Sequence, residues 1–211
     1  MRRVAFLTSG GDCQALNATM RGVAKTLYEA DEDVEILGIL EGYKGLMYEK
    51  YVKMKPSDFS GILTEGGTIL GSSRQPFKHM RKPDANGMDK VLAMKNTYQK
   101  LKLDCLVILG GNGTQKTANL LREEGLNVVG LPKTIDNDLA VTDHTPGYGS
   151  AAKYIGAITK EIIRDGLVYG TRNVSIMEVM GRNAGWLTGA TALACCEDCE
   201  GPDMIFLPEV D

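Results

Sequence analysis

The sequence predicts an α/β fold of mostly parallel sheets flanked by helices. Apolar runs of strand length alternate with segments of helical period, and glycine-rich turns stand where a strand hands over to a helix. Arg3 to Leu7 is the first expected strand, Gly10-Gly11-Asp12 the turn after it. Leu16, Met20, Val23, Ala24 and Leu27 then recur at three- and four-residue steps, the period of a helix with one apolar face. Val34 to Leu40 is the next strand. From Glu41 to Pro83 glycines and polar residues dominate, which predicts loops around a site, with Glu65 to Gly71 as the one short strand among them.

A helix over 87–100 leads into Asp104 to Leu109, whose continuous apolar character suits a central strand covered on both faces. Thr117 to Glu124 is a short helix stopped by Gly125, since glycine is favoured where the chain turns left-handed after a helix. Val128 to Leu131 is a further strand. A second βα series begins beyond Gly147, with helices over 150–164 and 184–194 and strands over 174–179 and 204–207. The expected domains are therefore 1–147 and 148–211.

The 211 residues carry a net charge of −3, with 43% hydrophobic and 24% charged residues. This lacks the basic footprint of a protein that neutralises a nucleic-acid backbone, so nucleic acid is not an expected partner. No apolar run approaches the roughly 18 residues of a membrane helix, and the first residues read as a strand rather than a signal peptide. A cytoplasmic protein with no membrane partner is expected. Five cysteines are present, three of them in Cys195-Cys196-Glu197-Asp198-Cys199. The two histidines, His79 and His144, are far from this group in sequence, so a four-ligand zinc site is not favoured over reduced thiols.

In an open parallel sheet ligands bind beyond the carboxyl ends of the strands. Four such places carry unusual residues. Thr8-Ser9-Gly10-Gly11-Asp12 and Gly110-Gly111-Asn112-Gly113-Thr114 let backbone N–H groups approach an anion at a helix N-terminus. The second turn is neither a P-loop, since Gln115 precedes Lys116, nor a dinucleotide fingerprint, since Lys116 replaces the third glycine. Thr134-Ile135-Asp136-Asn137-Asp138 sets two carboxylates and a hydroxyl after an apolar run, the parts needed to take a hydroxyl proton, hold magnesium and orient an acceptor. Lys133 adds a positive charge for phosphate. Met180-Gly181-Arg182 supplies an arginine able to stabilise charge on a transferred phosphoryl group.

Together with Gly66-Gly67-Thr68-Ile69-Leu70-Gly71-Ser72-Ser73-Arg74 and Glu178-Val179-Met180-Gly181-Arg182, these segments resemble the phosphofructokinase family across essentially the whole chain, in family order. The resemblance implies two Rossmann-like domains with one active site between them, and phosphoryl transfer to the 1-hydroxyl of fructose 6-phosphate. It makes the second domain incomplete, because the chain ends at Asp211, before the family's downstream glutamate, arginines and histidine that grip the sugar phosphate. It also implies that Asp136 is the base, with Thr134, Arg182 and Gly10 the other catalytic positions. Gly10, Arg74, Gly111, Gly113, Thr114 and Lys133 would meet the donor. Thr134, Ile135, Asp136, Met180, Gly181 and Arg182 would meet the sugar phosphate, and Asn112 and Asp138 a magnesium ion. A homo-oligomer, dimer or tetramer, is implied as well.

Family members use ATP or pyrophosphate. Gly113 resembles ATP users, since pyrophosphate users carry an aspartate there whose bulk and charge oppose the inner phosphate of a nucleotide. Lys133, and the segment Thr145 to Tyr154, resemble pyrophosphate users. ATP is the favoured donor on the steric argument. A nucleotide-binding fragment without turnover is the alternative reading, and the NAD and lipid kinases, which share a glycine-rich acidic turn, lack counterparts of the Asp136 and Arg182 motifs.

Overall fold

A computed structural model describes residues 1–11, 13–31 and 33–210. The chain divides into two compact units, Met1–Lys133 and Thr134–Asp211, so the boundary expected near Gly147 lies inside the second.

The first unit is built on one five-stranded sheet in the order β3-β2-β1-β4-β5. Its strands are β1 (Arg2–Ser9), β2 (Val34–Ile39), β3 (Tyr51–Met54), β4 (Cys105–Gly110) and β5 (Val128–Pro132). All pairings are parallel except β2 with β3, which is antiparallel at the sheet edge. Side chains alternate between the faces of a strand. Ala5, Leu7, Leu37, Ile39, Leu106 and Ile108 therefore share one face, where they pack with Tyr43, Met94 and Leu121 in the core. Those partners come from α2 (Tyr43–Met47), α3 (Lys90–Lys100) and α4 (Asn112–Glu123). On the other face Phe6 meets Phe59 edge to face, with ring centroids 6.0 Å apart. Helix α1 (Ala15–Ala30) buries Leu16, Met20 and Ala24, and its Arg21 donates to the Phe59 carbonyl at 2.6 Å.

Three differences from the expected elements concern this unit. Glu65 to Gly71 is a turn rather than a strand: Gly67 and Gly71 have φ of 82° and 69°, and Gly71 N–H closes on the Thr68 carbonyl at 3.1 Å. Helix α2 and strand β3 lie in the expected loop region; five helical residues are too few to display a period. Helix α4 starts at Asn112 rather than Thr117. The glycine turn after β4 is thus already the helix start.

Glu35 locks three strands together. Its carboxylate accepts from Arg3 Nε on β1 and pairs with Lys53 Nζ on β3, each at 2.5 Å. The hydrogen bond from Lys53, then that from Arg3, hold the Glu35 carboxyl below the usual carboxylate range against the opposing effect of burial. A carboxyl depressed in the folded state stabilises above its unfolded pKa, and that contribution disappears as pH falls through the folded value. Glu35→Gln is expected to cost about 1 kcal/mol at neutral pH. The cost should shrink as pH falls through the folded value, as read by urea unfolding at neutral pH and at successively lower pH. A difference that persists at the lower pH would show that packing, not charge, is responsible.

The second unit is helical. Helix α5 (Tyr148–Leu167) packs on the 3₁₀ segment Ala190–Ala194, with Gly156 so near Leu193 that an added Cβ would lie 3.2 Å from the Leu193 Cβ. The helix expected over 184–194 is instead α6 (Trp186–Gly189) followed by that 3₁₀ segment. Neither expected strand forms. Val174, Ile176 and Phe206 are 85%, 93% and 80% exposed. A β-strand requires a neighbour for its backbone groups, and the described part of this unit has only isolated bridges, Thr134–Gly147 and Cys196–Cys199.

Candidate active site

In the first unit the strand register aligns the candidate turns. Ser9 of β1 lies beside Gly110 of β4, and Gly110 beside Pro132 of β5. The segments beginning at Gly10, Gly111 and Lys133 are therefore neighbours at the carboxyl edge of the sheet. A groove of about 470 Å³ lies on the Phe6 face of the sheet beside α1, lined by Val4, Val23, Leu27, Val107, Val129 and Leu131 among others.

Gly10 has φ of 90°, a region in which other residues are strained. Its carbonyl accepts from Ser72 Oγ at 2.6 Å and its N–H donates to the Ser73 carbonyl at 3.4 Å. The loop that carries Arg74 is held further by Thr8 Oγ1, which donates to the Gly71 carbonyl at 2.8 Å, and by Asn17, whose Oδ1 accepts from Ile69 N–H at 2.9 Å. Arg74 itself is exposed and makes no ion pair among the described residues. Asp12, the acidic member of the first turn, lies outside the described residues.

The turn after β4 is braced from below. Thr114 Oγ1 donates to the Ser9 carbonyl at 3.2 Å, and the Thr114 carbonyl accepts from Tyr43 Oη at 2.8 Å. Burial pushes the Tyr43 phenol far above its usual pKa, so it remains a donor. Thr114 is buried and its hydroxyl is committed to this brace, which leaves its backbone N–H as the group to meet a ligand. Gly110 must be glycine, because an added Cβ would lie 2.4 Å from Thr114 Cγ2. Gln115 Nε2 donates to the carbonyls of Gly110 and Leu131 at 3.1 and 3.0 Å, stitching β4 to β5. The departure from a P-loop at Gln115 is thus a structural tie.

The first N–H groups of a helix have no intrahelical acceptor. At the start of α4, Gly111 caps the helix, and Asn112, Gly113 and Thr114 are its first three residues. Nothing lies within 4 Å of a Cβ added at Gly113. These N–H groups and the helix dipole make an anion-binding surface. Lys133 N–H donates to the Gly110 carbonyl at 3.1 Å, and its side chain is only 6% exposed and without an ion pair among the described residues.

In the second unit the acidic motif is a closed loop. Thr134 N–H donates to the Pro146 carbonyl at 3.2 Å, Thr145 Oγ1 to the Thr134 carbonyl at 2.7 Å, and Asp136 N–H to Thr134 Oγ1 at 3.1 Å. Asn137, at φ of 54°, bonds the segment ahead of α5 twice: Nδ2 donates to the Asp143 carbonyl at 3.1 Å, and Oδ1 accepts from Thr145 N–H at 2.8 Å. Ile135 and Asp136 are half-buried and Asp138 is exposed. Met180 and Arg182 are exposed on a tight turn with Gly181 at φ of 148°, closed by Ala184 N–H to the Gly181 carbonyl at 2.7 Å.

Sequence reasoning missed Tyr43, Gln115, Thr145 and Gly42. Gly42 stands after β2, at φ of 63°, where an added Cβ would lie 2.8 Å from the Thr8 carbonyl. Its signal was a glycine just past a strand end. Among the described residues no three His, Cys, Asp or Glu side chains form a metal cage. Asn112 of the first unit offers a neutral oxygen and Asp138 of the second a charged one, and both residues are exposed.

The sequence profile of the family described as Phosphofructokinase matches residues 3–211. The chain belongs to the phosphofructokinase family. It is 48% identical over 99% of its length to the "ATP-dependent 6-phosphofructokinase" of Spirochaeta thermophila, covering 56% of that protein. It is 40% identical to "ATP-dependent 6-phosphofructokinase 3" of Bacteroides thetaiotaomicron, over 99% of this chain and 59% of that one. Among solved structures, the pyrophosphate-dependent phosphofructokinase of Marinobacter aquaeolei superposes with a TM-score of 0.83 at 27% identity, over all of this chain and 54% of that one. The phosphofructokinase of Saccharomyces cerevisiae gives a TM-score of 0.77 at 30% identity, over 89% and 27%. The chain spans less than two thirds of the length of these phosphofructokinases.

Proposed function

We propose that the polypeptide carrying this chain transfers a phosphoryl group from ATP to the 1-hydroxyl of fructose 6-phosphate, giving fructose 1,6-bisphosphate in glycolysis. The observation that carries this is the pair of glycine turns at the ends of β1 and β4, beside Lys133 at the end of β5, with the N–H groups of Gly113 and Thr114 at the start of α4, where a helix supplies no acceptor. The relatives named ATP-dependent support the donor, and so does the open space at Gly113.

In this reading the N–H groups at Gly111, Gly113 and Thr114, with Arg74 and Lys133, hold the donor phosphates, and Gly10 lets the first turn approach them closely. Asp136 takes the proton of the 1-hydroxyl as it attacks the terminal phosphorus, and Thr134 orients that hydroxyl. Arg182 stabilises the charge on the moving phosphoryl group, and Ile135, Met180 and Gly181 shape the sugar-phosphate side. Magnesium, with Asn112 and Asp138 as its protein ligands, would supply charge neutralisation at the donor phosphates. Reduced thiols and the glycolytic role favour the cytoplasm, and no helix among the described residues is long and apolar enough to cross a membrane. A homo-oligomer is the expected assembly.

Buried Lys133 supports a second reading, pyrophosphate as donor, because an unpaired ammonium can hold a free phosphate. A coupled assay on the full-length polypeptide, offering fructose 6-phosphate and magnesium with ATP or pyrophosphate separately, distinguishes the two. Product with ATP is the expected result. Product with pyrophosphate alone reverses the donor, and nucleotide binding without product from either donor favours a fragment lacking turnover.

A further inference from the structure

Phosphoryl transfer as proposed makes no use of the turn that follows the Ala190–Ala194 segment. There Cys196-Glu197-Asp198-Cys199 closes a two-residue hairpin, with Cys196 N–H donating to the Cys199 carbonyl at 2.9 Å and Cys199 N–H to the Cys196 carbonyl at 3.1 Å. Residues that exchange both bonds stand with Cα atoms about 5.5 Å apart, within the about 4.4–6.8 Å spanned by a disulfide. Both thiols are free, Cys196 exposed and Cys199 buried.

Helix α5 supplies an independent feature. Lys160 Nζ lies 3.1 Å from Cys196 Sγ and 2.6 Å from Asp198 Oδ1, and Arg164 pairs with the other Asp198 oxygen. The Cys196 thiol donates to Asp198 Oδ1 at 3.1 Å and to the Ala194 carbonyl at 3.4 Å, and the Asp198 carboxylate is paired with two cations of α5. Glu197 and Glu200 flank the pair in sequence and are exposed. The Lys160 ammonium, 3.1 Å from Cys196 Sγ, stands where it can balance the negative charge that sulfur carries as it attacks.

We infer that Cys196 and Cys199 are an oxidisable dithiol, a modification site in which Cys196 is the attacking sulfur and Cys199 the resolving thiol toward hydrogen peroxide. In the first step Cys196 sulfur attacks one peroxide oxygen, the O–O bond breaks, and the departing hydroxide takes a proton to become water. Cys196 is left as a sulfenic acid. Cys199 sulfur then attacks Cys196 sulfur, its proton leaves with the sulfenic oxygen as a second water, and the disulfide forms. One peroxide is reduced by two electrons for each disulfide made.

The test uses the full-length polypeptide treated with dilute hydrogen peroxide, then alkylated and sequenced by fragmentation mass spectrometry. The expected product is a Cys196–Cys199 disulfide reversed by dithiothreitol, with Cys195 and Cys105 alkylated. Cys105 is the slow internal reference, because burial pushes its thiol up. Cys199→Ser should leave Cys196 as a sulfenic acid trapped by dimedone. Lys160→Met should slow oxidation of Cys196 about fivefold or more, while Lys160→Arg keeps it near the unaltered rate. Oxidation of Cys196 no faster than that of Cys105, or a disulfide to Cys195 in place of Cys199, overturns the inference. Because none of these readouts is turnover, failure of the phosphoryl-transfer reading would leave them unchanged.

Discussion

Asp136→Ala in the full-length polypeptide is expected to lower kcat by about 10²–10⁴-fold, the range that a positioned general base contributes. The dissociation constant for nucleotide should stay within about twofold, since a base acts on the transition state rather than on the donor's ground state. The backbone bond that closes the loop is kept in this variant, since it runs from Asp136 N–H to Thr134 Oγ1. The clasp from Thr145 Oγ1 to the Thr134 carbonyl and the two bonds of Asn137 come from other side chains. Asp136→Asn offers a second variant of nearly the same shape without the basic oxygen. Single-turnover and steady-state assays with the folded variants read the effect, and full turnover in either would remove Asp136 from the base role.

That the acidic loop was legible in the sequence, and its clasp was not, has a physical reason. Asp136 and Asp138 stand six residues or fewer from the strand end, so their chemistry can be read from a short window. Thr145 acts across 11 residues, and Tyr43 reaches Thr114 across 71. No local pattern carries such bonds. The same distinction separates the strands that were found from those that were not. β1 and β4 are continuous apolar runs and are paired on both sides in the sheet, so propensity and partners agree. Val174 to Val179 and Met204 to Leu207 have the same propensity without a paired neighbour among the described residues, and they form no strand, with Val174, Ile176 and Phe206 exposed. Edge strand β3 escaped notice for the opposite reason, because only Met54 of its four residues is buried. Glu65 to Gly71 shows composition misleading in a further way: Ile69 and Leu70 suggest a strand, but the positive φ of Gly67 and Gly71 bends the segment into the loop that carries Arg74. Helix α4 was placed too late because the residues that begin it, Asn112 and Gly113, are poor helix formers that the end of β4 and the Thr114 brace hold in place.

Gly113→Asp is expected to lower kcat/KM for ATP by at least about a hundredfold, which corresponds to about 2.7 kcal/mol. The fold should not suffer. A Cβ at this position meets nothing within 4 Å, and the residue is in the first turn of α4, where an acidic side chain is favourable by about 0.3–1 kcal/mol. The melting temperature should therefore hold or rise slightly. The loss comes from placing a carboxylate among the N–H groups of Asn112, Gly113 and Thr114, where it competes for the donors and repels an inner phosphate; such like-charge juxtaposition costs several kcal/mol. Pyrophosphate has no nucleoside beyond its second phosphate, so its turnover should fall less, and the ratio of the two donors should move toward pyrophosphate. Buried Lys133, on the neighbouring strand end, remains available to a free phosphate. Unchanged ATP turnover in a correctly folded Gly113→Asp variant would mean that the inner phosphate of the donor does not lie against the start of α4.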